Sequence, residues 1–92
     1  MIAAEITTAI GHLLDELGAL GIRISGSEYA SSFDNFFVDC QGSKGSFRIV
    51  RDRGQYFLDG NVEDIKKRGF FKAYDSVHDF TKVALQYATA FA

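Results

Sequence analysis

The sequence predicts an α+β fold: an N-terminal helix, an antiparallel β-meander of three to four strands, then a short helix and a C-terminal helix packed on one face of the sheet. Apolar residues recur every three or four positions near both ends, which is helical spacing, and every second position between residues 35 and 59, which is strand spacing. The chain has 92 residues, 47% apolar and 24% charged, enough for one modest core. We therefore assign residues 1–92 to a single domain.

The first element is an amphipathic helix over residues 2–20. Its apolar stripe, which Leu14 widens, consists of Ile6, Ile10, Leu13, Leu17 and Leu20. Gly18 and Gly21 lie where this helix should end, and glycine adopts the left-handed cap conformation readily. The "IRIS" segment that follows alternates apolar and polar residues, which predicts a short strand.

The next segment, "SGSEYASSFDN" (residues 25–35), has two interpretations. It is rich in serine and small residues, which indicates a long loop, and long loops in compact domains often carry function. In the second interpretation "SGSEY" continues the first strand, and only the remainder is a connection.

Three strands joined by short turns are predicted between residues 35 and 59. Alternation assigns Phe36, Val38, Cys40, Phe47, Ile49, Arg51, Tyr56 and Leu58 to one face, and Phe37, Asp39, Gln41, Arg48, Val50, Phe57 and Asp59 to the other. In the last strand Phe57 and Leu58 compete for the inner face. "QGSKG" has turn composition, and Asp52-Arg53-Gly54 predicts a type I turn followed by a left-handed glycine.

Two helices complete the predicted fold. In "NVEDIKKRG" Asn61 is a candidate N-cap, acids precede bases, and Gly69 ends the helix. Ser76, three residues before Asp79, resembles a capping box. The apolar stripe of the last helix is Val77, Phe80, Ala84, Tyr87 and Phe91.

Composition indicates the compartment and the class of partner. Cys40 is the only cysteine, so no internal disulfide forms, and the N-terminus has neither a signal-peptide nor a membrane-span pattern; we expect a cytoplasmic protein that binds no membrane. The net charge of −2 is uneven, with −5 over residues 1–41 and +3 over residues 42–92. No basic run is present, so we expect no direct nucleic-acid binding. The acidic first part suits a basic protein partner or a solvated surface.

No residue pattern indicates catalysis. Cys40 is predicted on the apolar face of a strand, where a thiol packs rather than reacts. His12 has Glu16 one helical turn away, but a metal site needs three or four ligands. Asp52 and Asp59 flank a hairpin, where acids usually serve turn geometry. We therefore predict no enzymatic activity, no cofactor and no metal.

The sheet face that points away from the helices has the composition of an interface. It mixes aromatic rings with charges of both signs, and aromatic residues and arginine are enriched at binding hot spots. Phe37, Asp39 and Arg48 are our candidate partner-binding residues on this face. The alternative interpretation is ordinary cross-strand packing on a half-exposed sheet, or a second layer of core.

The stretch "FRIVRDRGQYFLD" resembles small bacterial immunity proteins, the cognate inhibitors of contact-dependent inhibition and other polymorphic toxins. The resemblance lies in the strand–tight turn–strand element "IVRDRGQYF", in the length of the chain and in the order of its elements. It implies a cytoplasmic antitoxin that binds the C-terminal domain of a toxin, typically a nuclease, as the monomeric half of a heterodimer. Inhibition would block the active site or the substrate surface of the toxin.

A nuclease cleft is basic, so this resemblance implies that acids of the inhibitor replace phosphates and speed the encounter. The implied acids are Glu28, Asp34 and Asp39, with Tyr29 and Phe33 as aromatic anchors in the same irregular segment. Two other hypotheses stay open. The chain is an adaptor or a homodimer formed through the open sheet face, or it is a small enzyme or ligand-binding domain with a pocket between the sheet and the terminal helix.

Overall fold

The computed structural model describes residues 2–92 and confirms the predicted α+β class. In chain order its elements are α1 (Ala4–Ala19), β1 (Arg23–Ala30), a 3₁₀ turn (Ser32–Asp34), β2 (Asn35–Gly42), β3 (Gly45–Asp52), β4 (Gln55–Asp59), α2 (Val62–Lys67) and α3 (Val77–Ala88). The four strands form one sheet in the order β1-β2-β3-β4, and each neighbouring pair is antiparallel. The meander therefore has four strands.

The helices and one face of the sheet enclose the core. The predicted inner positions of β2, β3 and β4 are buried except Arg51, which is half-buried. Leu58, at 2% exposure, rather than Phe57 occupies the inner face of β4. From the helices the core receives Ile6, Ile10, Leu13 and Leu17 of α1, Ile65 of α2, and Phe80, Ala84, Tyr87 and Ala88 of α3. The inward side chains of the strands and the apolar stripes of α1 and α3 thus pack together in one core layer.

Both predicted N-caps are formed. The Asn61 side chain accepts a hydrogen bond from the Asp64 amide at 3.1 Å, and the Ser76 hydroxyl accepts one from the Asp79 amide at 3.3 Å. The predicted stripe of α3 is wrong at its two ends. Val77 is exposed, and Phe91 lies beyond the last helical residue, where its ring packs on Phe47 and Tyr87.

Strand β1 continues to Ala30, so "SGSEY" belongs to the first strand and the eleven-residue loop is wrong. Pairing with β2 satisfies the backbone and overrides the low β-propensity of glycine and serine. The register shifts between Ile24 and Gly26, which leaves Ser25 as an extra residue, a β-bulge. Only residues 31–34 connect β1 to β2.

The β3–β4 turn is tighter than predicted. Asp52 pairs with Gln55, so the loop has two residues, Arg53 at φ 52° and Gly54 at φ 82°. Positive φ at both central positions defines a type I′ turn, whose twist matches that of the flanking strands. The left-handed glycine is therefore confirmed, but the type I turn before it is wrong. The amide of Arg53 donates to the Asn35 side chain at 2.8 Å.

The C-terminal residues cover the β2–β3 turn. The amide of Lys44 donates to the carbonyl of Phe91 at 3.1 Å, and the Ser43 hydroxyl donates to the carbonyl of Ala92 at 3.1 Å. Gly42 is buried beneath this contact, and a Cβ there would lie 2.0 Å from the Phe91 carbonyl oxygen. Only glycine allows the two backbones to approach this closely.

Candidate protein-binding face

The face of the sheet opposite the helices carries two parallel rows of side chains. Strand register places Glu28, Phe37, Val50 and Phe57 in one row across all four strands. The neighbouring row consists of Asp39, Arg48 and Asp59, next to Gly26 of β1. We call the surface formed by these two rows the open face. One row is thus mainly apolar and the other is charged.

The open face is solvated, whereas the inner face is packed. Among residues 2–92, every side chain of its two rows is half-buried or exposed, and none is buried. A groove of about 330 Å³ runs over it, lined among others by Phe37, Val50 and Phe57. Three neighbouring apolar side chains lie at the floor of this open groove. Removing such a surface from water on contact with a partner lowers the free energy, so it favours binding.

Arg48 is held in place at the centre of this face. Its Nε donates to Asp39 Oδ1 at 2.7 Å and its Nη2 donates to Asp39 Oδ2 at 3.3 Å. Its guanidinium carbon lies 3.8 Å from the centroid of the Phe37 ring, a cation–π contact. The hydrogen bonds to Asp39 raise the pKa of Arg48, so it is always charged. A fixed arginine loses less side-chain entropy on binding than a free one.

The structure brings four of the seven candidate residues together on the open face: Glu28, Phe37, Asp39 and Arg48. It does not bring Tyr29 to this face, because Tyr29 pairs with the inward-facing Phe36 and lies on the helix side of the sheet. Phe33 and Asp34 lie in the 3₁₀ turn at one end of the sheet, where both are exposed.

Tyr29 forms a hydrogen bond with Asp34 on the helix side of the sheet. Its hydroxyl donates to Asp34 Oδ1, and this bond, together with the charge of Asp34, raises the pKa of Tyr29 to about 12. The bond connects the end of β1 to the turn that follows it. Tyr29 is therefore seen in a local structural contact, separate from the surface that carries Phe37 and Arg48.

The three candidate acids differ in how free their charges are. Asp39 forms an ion pair with Arg48, so its charge is largely compensated. Glu28 and Asp34 are exposed and form no ion pair with any side chain of residues 2–92. The negative potential available to a basic partner thus comes from Glu28 and Asp34 more than from Asp39.

Arg51 is a residue whose role the sequence did not indicate. Alternation assigned it to the inner face, but its guanidinium Nη1 reaches the 3₁₀ turn and donates to the carbonyls of Phe33 at 2.9 Å and Asp34 at 2.8 Å. The partners lie 18 and 17 positions away along the chain. Only the strand register, which a single sequence does not reveal, brings them together.

A second cleft, of about 440 Å³, lies between the first turns of α1 and the sheet, where a ligand-binding interpretation would need polar groups free to converge. Its polar lining includes Glu5, Tyr29, Asp34 and Arg51. Three of these already bond within the chain, since Tyr29 donates to Asp34 and Arg51 to two backbone carbonyls. The cleft is therefore less suited to a polar ligand than its lining suggests.

Cys40 and His12 occupy structural surroundings. Cys40 is completely buried in the core, and burial raises the pKa of its thiol to about 12, which keeps it protonated. His12 is exposed and contacts Glu16 at 3.3 Å. Within residues 2–92, no three His, Cys, Asp or Glu side chains cluster as metal ligands would.

No helix in the part of the chain that the structure describes is long and apolar enough to cross a bilayer. Comparison of the chain with protein-family models, with curated proteins and with solved structures found no match.

Proposed function

We propose that this chain is a non-enzymatic binding protein that docks a protein partner on its open face, and that it acts as a cytoplasmic immunity protein against a bacterial toxin domain. One observation carries the proposal: an uncovered sheet face places the apolar row of Phe37, Val50 and Phe57 beside an arginine that is already fixed by Asp39.

The energetic argument starts from the apolar row. When a partner displaces water from a flat apolar surface of three side chains, the complex becomes more stable. The largest contributions to affinity come from aromatic and arginine side chains at the centre of an interface. Arg48 adds directed N–H donors, those that Asp39 does not use, at little entropic cost, because Asp39 and Phe37 already define its position. Glu28 and Asp59 lie at opposite edges of the face and supply a polar rim.

The immunity assignment rests on the resemblance together with the free acids. A nuclease domain presents a basic cleft for its substrate, and Glu28 and Asp34 are exposed carboxylates without an ion-pair partner among residues 2–92. They would meet that cleft as phosphate stand-ins and speed association at low ionic strength. Occupation of the cleft would exclude the nucleic acid, so inhibition requires no chemistry from this chain.

The first experiment compares one substitution at two places. Val50→Lys puts a charge in the middle of the apolar row, whereas Val77→Lys makes the same change at the exposed start of α3, on the helix side of the sheet. The probe is the C-terminal domain encoded by the reading frame next to this gene, which the immunity assignment predicts to be a toxin, and titration calorimetry measures the affinity. We expect Val50→Lys to weaken binding by about tenfold or more, which is roughly 1.4 kcal/mol, and Val77→Lys to leave it unchanged.

Circular dichroism spectra and melting curves check that both variants are folded. Equal affinities for wild type and Val50→Lys would reject the open face as the binding surface. A wild-type protein that neither binds the toxin domain nor reduces its nuclease activity would reject the immunity assignment.

The second experiment tests the acids. Glu28→Lys combined with Asp34→Lys reverses two unpaired charges, and we expect a slower association rate whose difference from wild type shrinks at 0.5 M salt, because screening shortens the reach of the charges to about 4 Å. Asp39 is a poorer target, since its removal also deprives Arg48 of its ion-pair partner. Asp34→Lys removes the hydrogen bond from Tyr29 as well, so Tyr29→Phe, which removes that bond and keeps the carboxylate, is the control. An association rate that does not respond to the double substitution would show that the partner surface is not basic.

A homodimer is the second candidate, and the same apolar row favours it, because two copies of an uncovered sheet face bury each other's rings. Light scattering on the isolated protein separates the two. A wild-type dimer that Val50→Lys converts to a monomer would support the homodimer, whereas a wild-type monomer supports docking of a different protein.

A further inference from the structure

The turn between β1 and β2 holds two consecutive non-glycine residues in the left-handed region. Phe33 has φ 58° and ψ 17°, and Asp34 has φ 52°. A side chain with a Cβ is disfavoured at these angles, and bulky residues more so than aspartate or asparagine. Strained backbone of this kind persists only where its surroundings fix it, and it concentrates at functional sites.

Side chains from two other parts of the sheet fix this turn. Arg51 donates to the carbonyls of Phe33 and Asp34 at 2.9 and 2.8 Å, and the Tyr29 hydroxyl donates to the carboxylate of Asp34. At the first residue of β2, the Asn35 side chain accepts from the Arg53 amide at 2.8 Å. The bonds from Arg51 and Tyr29 hold the backbone of the turn and the side chain of Asp34, and the Asn35 bond connects the next residue to the β3–β4 turn.

The ring of Phe33, unlike the backbone of the turn, is mostly exposed to solvent. It is 70% exposed, and the other exposed large apolar side chains among residues 2–92 are less so, Phe71 at 53% and Val77 at 37%. The fold thus places a phenylalanine in a strained conformation and fixes its backbone, yet leaves most of its ring in water. Glycine would suit the backbone angles better, as Gly54 does in the neighbouring β3–β4 turn.

The turn borders the open face. The groove over the apolar row extends to Ala30 and Asn35, the residues that flank the 3₁₀ turn on either side. Phe33 itself does not line the groove and lies in the turn just beyond its end. A partner that fills the groove and extends past Ala30 and Asn35 reaches the turn that carries Phe33.

We infer that Phe33 is a preformed anchor residue, which inserts into an apolar pocket of the protein partner that covers the open face. The inference rests on the proposed function, since the partner is the same toxin domain. Because the backbone of the turn is fixed before binding, only the side-chain torsions of Phe33 remain to be ordered in the complex. An isolated exposed aromatic ring with a rigid backbone is the kind of side chain that fills a pocket and becomes a hot spot.

The test separates the stability effect of Phe33 from its binding effect. Phe33→Gly relieves the left-handed strain and removes the ring, and Phe33→Ala removes the ring while keeping a Cβ. We expect the melting midpoint of Phe33→Gly to equal that of wild type or to rise by a few degrees, and that of Phe33→Ala to stay within about 3 °C. Both variants should bind the toxin domain about tenfold or more weakly.

Phe71→Ala is the matched control, because it removes another exposed phenylalanine ring, from the connection between α2 and α3. We expect its affinity to equal that of wild type. Wild-type affinity in Phe33→Ala would overturn the anchor while leaving the proposed function intact. A lower melting midpoint in Phe33→Gly would overturn it as well, since the ring would then stabilise the fold.

Two further outcomes would overturn the inference. A wild-type protein that dimerises and becomes monomeric on Phe33→Ala would assign the ring to a second copy of this chain. A wild-type protein that does not bind the toxin domain would remove the proposed function and the anchor with it, and this result is distinguishable because it is seen before any substitution is made.

Discussion

The β1–β2 turn and the β2–β3 turn, at opposite ends of β2, meet their backbone demands in opposite ways. The β1–β2 turn contains no glycine, holds Phe33 and Asp34 at positive φ, and is fixed by side-chain hydrogen bonds from Arg51 and Tyr29. The β2–β3 turn is bounded by Gly42 and Gly45, and it is fixed by a backbone contact with Phe91. The β1–β2 turn has side chains at residues whose backbone angles are strained. The β2–β3 turn has glycine, without a side chain, at the point where it comes closest to Phe91.

The difference indicates what each turn is for. Where the chain has to pass close to another backbone, glycine is the residue that fits, and its identity follows from packing. Where a side chain is retained at an angle that glycine would occupy at lower cost, packing gives no reason for it. The geometry of the β2–β3 turn therefore follows from packing, whereas the β1–β2 turn carries Phe33, the residue that we propose as an anchor.

The largest expected effect is at Gly42. In Gly42→Ala the new Cβ would lie 2.0 Å from the Phe91 carbonyl oxygen and 2.8 Å from Ile22 Cδ1, so the C-terminal residues must move away. We expect a loss of about 2–3 kcal/mol in the free energy of unfolding, measured by urea denaturation. Gly18→Ala in α1 is the control, because a Cβ there meets nothing within 4 Å, and it should gain up to about 1 kcal/mol. Similar values for the two variants would show that the β2–β3 turn tolerates a side chain.

A smaller effect is expected at Gly54, where only the backbone angle opposes a side chain. Gly54 has φ 82° and open space around its Cα, so Gly54→Val should cost about 1–2 kcal/mol from strain alone. Gly54→Asn should lose less than half as much, because asparagine tolerates the left-handed region. The same denaturation measurement applies. Equal losses in the valine and asparagine variants would mean that the type I′ geometry does not set the cost.

The smallest effect concerns pH and is specific to the β1–β2 turn. The hydrogen bond to Asp34 raises the pKa of Tyr29 from 10 to about 12, so its neutral form is favoured in the folded state. The stabilisation it provides is present below pH 10 and is lost as the pH rises towards 12. We expect the stability difference between wild type and Tyr29→Phe to disappear between these two pH values.

Urea denaturation of both proteins at pH 8 and pH 11.5 measures this difference directly, and effects of lysine deprotonation cancel because the two proteins share them. A difference that is the same at both pH values would exclude a role for the Tyr29–Asp34 bond in holding the turn.

Local patterns predicted most of the fold because each depends on neighbouring residues. Period-two alternation placed Phe36, Val38 and Ile49 inside, and the caps at Asn61 and Ser76 follow from side-chain chemistry within three residues. These features need no knowledge of distant contacts. The type I′ turn was missed because it depends on pairing Asp52 with Gln55, which extends β3 by one residue and shortens the loop to two.

The candidate site was predicted less completely, and the bulge at Ser25 shows why. Counted from Ile22 and Ile24, simple alternation would turn position 28 inward and position 29 outward. One extra residue in β1 reverses every later side chain, so Glu28 joins the open face and Tyr29 the helix side. The role of Arg51 was hidden for a related reason, since its partners in the turn come close only through the register of the sheet.

The rate at which the buried thiol of Cys40 is labelled reports how often the core of the protein opens. A thiol reagent at neutral pH needs a thiolate, and Cys40 is completely buried with its pKa raised to about 12, so it reacts only in molecules whose core has opened. Because the chain contains a single cysteine, the labelled fraction measures one opening reaction without ambiguity of site. Variants of either turn can therefore be ranked by labelling rate in a crude cell extract, before any of them is purified.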